Sequence, residues 1–211
     1  MSFHEAAFAA GLQRRDTLKA AAAWLALGSQ PAAIARQRSN IVERVGQIRL
    51  NGQPLLPEQT VQSGDQVQTG PNSRLIFIIG DAAFQVRPNS TLSLERGHSI
   101  GSVSQLHLLE GAVLSVWAGE RSRQIITPSL SAKFRTAGLY AEVFGESRHR
   151  SYLCNCHGTL ALSAGKDKTI STATNHQAFW TSSDNTEDGL MPADSLNHSD
   201  DEINFLTRLI R

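Results

Sequence analysis

From residue 45 onward the chain alternates short apolar runs with polar breaks. "VGQIRLNG", "DQVQTG", "SRLIFIIGD", "AAFQVRPNS", "TLSLE", "QLHLLEG" and "AVLSVWAG" are rich in Val, Ile, Leu or Phe. Gly, Asn, Pro or Asp interrupts them roughly every eight to twelve residues, a rhythm that predicts strands and an all-β domain. Residues 75–79 are apolar throughout, so that strand is expected to be buried on both faces. Gln105-Leu106-His107-Leu108 alternates instead, as a strand with one wet face does. Many short strands of this kind are expected to form a compact β-solenoid-like stack or a β-sandwich, and the recurrence of Gly80, Gly97 and Gly111 favours the stack.

The period changes at the end of the chain. Ser199 followed three residues later by Glu202 is a capping box, and Ile203, Leu206 and Ile210 recur at helical spacing beside Phe205 and Leu209. Arg208 and Arg211 suit the C-terminal end of a helix dipole. Residues 199–211 are therefore expected to form one amphipathic C-terminal helix, for which docking on the β domain is the favoured reading and binding a partner the alternative. The polar, Pro- and Gly-marked stretch 183–198 reads as a loop.

The beginning of the chain has a different pattern. Arg14 and Arg15 precede Leu18 and Lys19, an Ala-rich apolar run follows, Pro31 breaks it, and Ala33 and Ala35 stand at −3 and −1 before Arg36. Basic, then apolar, then small is the layout of an export signal. The pair of arginines resembles the twin-arginine consensus, although Asp16 and Thr17 depart from its commonest residues. Residues 1–35 are thus expected to be a twin-arginine-type signal peptide, ahead of a β domain at 41–182. An amphipathic helix, or an uncleaved anchor at 18–27, are the alternatives.

Composition narrows the possibilities. The chain has 211 residues, 20 Lys plus Arg against 19 Asp plus Glu, and 2 Cys. A near-neutral balance offers no basic face for nucleic acid, and no apolar run approaches the roughly 18 residues that span a bilayer. No Gly-x-Ser-x-Gly elbow is present. Asp65, Asp81 and Glu110 beside glycines read as turn residues, and Trp117 and Trp180 as core or interface anchors. No catalytic residue and no cofactor is expected.

Cys154 and Cys156, in "YLCNCHG", are the chemical exception. On a strand, Tyr152, Cys154, Cys156, Leu160 and Leu162 share one face, and Leu153, Asn155 and His157 the other. A regular strand cannot bring both thiols and His157 to one ion, unless it bends at Gly158. Three states are open: buried free thiols acting as small hydrophobes, which the pattern favours, a strained or intermolecular disulfide, or a metal site. His157, His176 and His198 read as surface histidines, with a shared site as the sharper alternative.

The β segment resembles the FecR-type domain of bacterial envelope proteins. The resemblance rests on Gly46, the run Gly64-Asp65-Gln66-Val67-Gln68-Thr69-Gly70, Gly111 and Thr127-Pro128, across roughly residues 45–162. Arg135-Thr136-Ala137-Gly138 departs from the Arg-Gly-Thr usual in that family. The resemblance implies a periplasmic domain related to anti-sigma regulators, here without the cytoplasmic half. The expected function is accordingly non-enzymatic: an exported domain contacting an envelope protein or cell-wall component. A periplasmic metal- or redox-active protein using Cys154 and Cys156, and a membrane-tethered signalling regulator, are the alternatives.

Overall fold

The computed structural model describes residues 39–99, 101–144, 150–182 and 189–211. The export-signal residues Arg14, Arg15, Leu18, Lys19, Ala33 and Ala35 lie outside the described residues. Among the described residues no helix is long and apolar enough to cross a membrane.

Among the described residues the fold is all-β with one helix. The strands are β1 (Ile41–Val45), β2 (Ile48–Leu50), β3 (Gln53–Pro54), β4 (Gln66–Thr69), β5 (Arg74–Ile79), β6 (Ala82–Val86), β7 (Thr91–Arg96) and β8 (Val103–Trp117). They continue with β9 (Arg123–Ile126), β10 (Ser131–Phe134), β11 (Ala137–Val143), β12 (Arg150–Ala164), β13 (Asp167–Ala173), β14 (Gln177–Ser182) and β15 (Met191–Ala193). Helix α1 (Asp200–Leu209) follows. The last strand lies within the stretch expected to be loop and pairs with β14 through Ala178 opposite Ala193.

Closure comes from the two long strands. β8 pairs with β11, β11 with β12, β12 with β10, β10 with β9, and β9 returns to β8, so the hydrogen bonding runs in a ring. Only β8 with β9 is parallel among the described pairings. Closure of a mostly antiparallel ring into a barrel-like sandwich thus replaces the coils of a solenoid stack, because the glycines mark hairpins and corners rather than repeats. Each 15-residue strand changes partners midway at a glycine of positive φ, Gly111 at 76° and Gly158 at 109°. A Cβ at Gly158 would stand 2.6 Å from the Thr136 carbonyl oxygen, so a side chain is excluded by space as well as by conformation.

The core has two layers. Inside the ring, Leu75, Phe77, Phe84, Leu106, Trp117, Leu153 and Leu160 belong to the larger cluster. On the outer side of β5, β6, β8, β11 and β12 a second cluster holds Ile76, Ala83, Leu114, Val116, Tyr140, Tyr152, Cys154 and Cys156, closed by Ile203 and Leu206 of α1. The all-apolar run 75–79 therefore serves both layers, alternate residues pointing each way. The helix docks on the outer layer, packing on β6 and β8. Its capping box forms as expected, with the Glu202 N–H donating to Ser199 Oγ and the Ser199 N–H donating to Glu202 Oε2.

One expectation about β12 is corrected. Leu160 and Leu162 lie in the inner cluster and the thiols in the outer one. The pairing of β11 with β12 passes from Gly138↔His157 to Leu139↔Asn155, skipping Cys156. An extra residue at that bulge inverts the inward–outward alternation of everything after it.

Candidate metal centre

The outer layer carries the chemistry. β12 points Cys154 and Cys156 outward beneath the start of α1, where both thiols are free and buried. The turn from β13 into β14 brings in His176, whose backbone N–H donates to the Cys156 carbonyl. The approach to α1 brings in His198, one residue before the N-cap Ser199. His176 and Asn197, the residue before His198, have φ of 28° and 60°. Non-glycine residues in that region are uncommon outside turns and sites, and here they aim two imidazoles at the sulfurs.

One candidate donor atom from each of Cys154, Cys156, His176 and His198 lies within 4.8 Å of all the others. Cys154 Sγ is 3.4 Å from His176 Nδ1, Cys156 Sγ is 3.4 Å from His198 Nε2, and the two ring nitrogens are 3.1 Å apart. In a zinc tetrahedron with bonds of about 2.0–2.3 Å, adjacent donors stand roughly 3.3–3.8 Å apart. The cluster is close to that figure.

The outer nitrogens of the two rings decide what the inner ones present. His198 Nδ1 donates to the Leu196 carbonyl at 2.5 Å, and His176 Nε2 donates to the Asp200 carboxylate at 2.8 Å. Each partner accepts only, so a neutral ring in either position turns a lone pair inward. Two lone pairs 3.1 Å apart repel unless a proton or a cation lies between them. Imidazoles anchored through the outer nitrogen by a carboxylate or a carbonyl are the usual second layer of a metal site. His198 is also stacked on Tyr140, with ring centroids 4.8 Å apart.

Without an ion the same geometry favours a thiolate. Cys154 is lowered to about 4 by the hydrogen bond from Cys156, against the cost of burial and with help from His198 and His176. Cys156 is raised, first by its bond to the Cys154 thiolate and then by burial. Burial opposes charge on His176, yet its bonds to Asp200 and Cys154 outweigh that and raise its pKa. The Cys154 charge is thus held between a protonated sulfur and an imidazolium, an arrangement a soft cation can replace.

His157 is not a member. The bulge puts it on the outer side with the thiols, against the parity expected of a regular strand, but its ring lies over Gly138 and lines an open groove with Lys133 and Arg135. The tertiary fold thus joins the thiol pair to His176 and His198 and leaves out the histidine adjacent in sequence. One spacing signal was present, Cys-x-Cys, but the histidines follow at intervals of about twenty residues, far from finger-like spacing. Trp117 is in the inner core against Phe84 and Phe134, whereas Trp180 packs on Tyr152 and Phe144 in the outer layer, so the two anchors belong to different layers. Asp65 accepts from the Gln62 N–H as a turn residue does, while Asp81 holds the buried Arg123 at 2.5 Å.

No protein-family profile and no curated protein matches the chain. Two crystal structures of a protein described as a "putative anti-sigma factor" from Parabacteroides distasonis ATCC 8503, at 1.65 and 2.50 Å resolution, share the fold. Each has a TM-score of 0.51, at 8% and 7% sequence identity, and the match covers 62% of this chain and 59% of theirs. The chain therefore spans less than two thirds of those proteins, and the likeness is one of architecture.

Proposed function

We propose that this chain is a non-enzymatic regulatory β domain of the bacterial envelope that binds a zinc-class ion through Cys154, Cys156, His176 and His198. One observation carries the reading: two sulfurs and two anchored imidazoles turn their donor atoms to a single point. Four protein donors leave no coordination position for a substrate or an activated water, which suits a structural or sensing ion rather than a hydrolytic one. The architecture shared with a protein described as an anti-sigma factor supports the regulatory part. The Arg14–Arg15 pair supports export, by a route that carries folded and already loaded proteins.

The test is metal content and thiol reactivity of the purified, reduced chain. One zinc per chain is expected, with both thiols shielded until a chelator is added, and a sulfur-to-metal absorption band when cobalt replaces zinc. Absence of stoichiometric metal, with thiols equally reactive before and after chelation, overturns the metal reading. It would leave the thiolate–imidazolium pair as a redox element, the reading that the lowered Cys154 favours.

A further inference from the structure

The four donors come from two parts of the chain that nothing covalent joins locally. Cys154, Cys156 and His176 belong to the sheet, on β12 and the turn before β14. His198 belongs to the segment that leaves β15 and becomes α1. A helix of 10 residues is too short to persist alone in water, so α1 depends on what holds it down.

The segment's other attachments are polar at their edges. Tyr152 Oη donates to the Asp194 carbonyl at 2.8 Å and accepts from the Leu196 N–H at 3.0 Å. Arg87 reaches the Asn197 carbonyl at 3.1 Å and Glu202 at 2.8 Å, and Gln85 donates to Glu202 at 2.9 Å. Ile203 and Leu206 complete the seat over the outer apolar face that includes Ile76, Leu114 and Val116. His198 and Asp200 flank the N-cap, so the donor cluster lies where the segment turns from the sheet into the helix.

We propose that the ion is a latch on the C-terminal helix: bound by three donors of the sheet and by His198 of the segment, it couples its own occupancy to the seating of α1 on the outer apolar face. This rests on the metal reading above. The physical basis is a difference in donor number. With α1 seated the ion has four protein ligands, and with the segment lifted away it keeps three, so it binds the closed state more tightly and shifts the population toward it. Linkage makes the effect mutual: whatever loosens the helix weakens the ion, and removing the ion loosens the helix. The apolar strip formed by Ile76, Leu114 and Val116 then becomes accessible in a zinc-dependent way.

Hydrogen exchange on the full, reduced chain tests it, with zinc added and with zinc removed by a chelator. With zinc in excess, amides of residues 201–209 are expected to exchange more slowly than in the chelated protein by the ratio of the ion's affinities for the seated and lifted states, up to a ceiling of ~100-fold at free zinc about a hundred times its dissociation constant. The Leu206→Ala variant touches no donor and is expected to bind zinc several-fold more weakly. In His198→Ala the exchange of α1 is expected not to respond to zinc. If zinc binds stoichiometrically and the helix amides exchange at the same rate with and without it, the latch is overturned while the metal site stands. If no zinc binds, the site itself is overturned and the latch with it. The comparison on unsubstituted protein decides even where a variant fails to fold.

Discussion

Cys154 and Cys156 show how little one residue's neighbours in sequence say about its chemistry. Each is buried among apolar side chains, as a small hydrophobe is, and each also faces an imidazole. The nearest histidine in sequence, His157, is held over Gly138 outside the donor cluster, and burial followed by the His176 charge lowers its pKa. Tyr152 is the residue that joins the site to its surroundings, since one hydroxyl bridges Asp194 and Leu196. Its ionisation is pushed up by burial first and then by the Cys154 charge, so it stays a neutral bridge. Tyr152→Phe is expected to lower stability by about 1–2 kcal/mol, the net value of hydrogen bonds of this kind. Equilibrium denaturation of the reduced protein measures it, with the ring packing against Trp180 retained in both forms.

At the scale of elements, β12 carries the design. It turns the corner at Gly158, changes face at Cys156, and feeds both core layers. Gly158→Ala forces a side chain into a left-handed position against the Thr136 carbonyl. A loss of roughly 1–3 kcal/mol is expected from backbone strain before any clash is counted, read from the midpoint of chemical unfolding. Helix α1 has its own control. Burial raises the Glu202 pKa, but its bonds to Arg87 and Gln85 outweigh this and hold it below the ordinary value. A carboxylate depressed in the folded state stabilises fully above its unfolded pKa, near 4.3, and loses that contribution as pH falls through the folded value. The stability gap between the native chain and Glu202→Gln should therefore be open at neutral pH and close in acid. A gap that persists unchanged below the carboxylate range would remove Glu202 from this role.

For the whole molecule, the apolar outer face of β5, β6, β8, β11 and β12 is a platform that needs a cover. α1 supplies the cover, and the donor cluster sits at its hinge. The proposed envelope location carries a prediction of its own: replacing Arg14 and Arg15 by lysines should abolish the periplasmic pool, because a twin-arginine receptor reads the guanidinium pair and not charge alone. Cell fractionation of the two forms checks it, and an undiminished periplasmic pool would refute that route.

Local pattern was enough for the class of fold and for the end of the chain. Alternation every second residue, with Gly and Asn at the breaks, dictates strands because side chains on a strand alternate by geometry. Ser199 with Glu202, ahead of apolar residues at helical spacing, dictates the capped helix for the same local reason. Closure into a ring, the bulge at Cys156 and the seat of α1 were decided by tertiary packing. So was the donor cluster. Residues 154, 156, 176 and 198 are brought together by antiparallel pairing of β12 with β14 and by docking of the helix, contacts between segments far apart in sequence. No short-range periodicity encodes such contacts, and the free energy that forms them comes from burying two apolar layers at once.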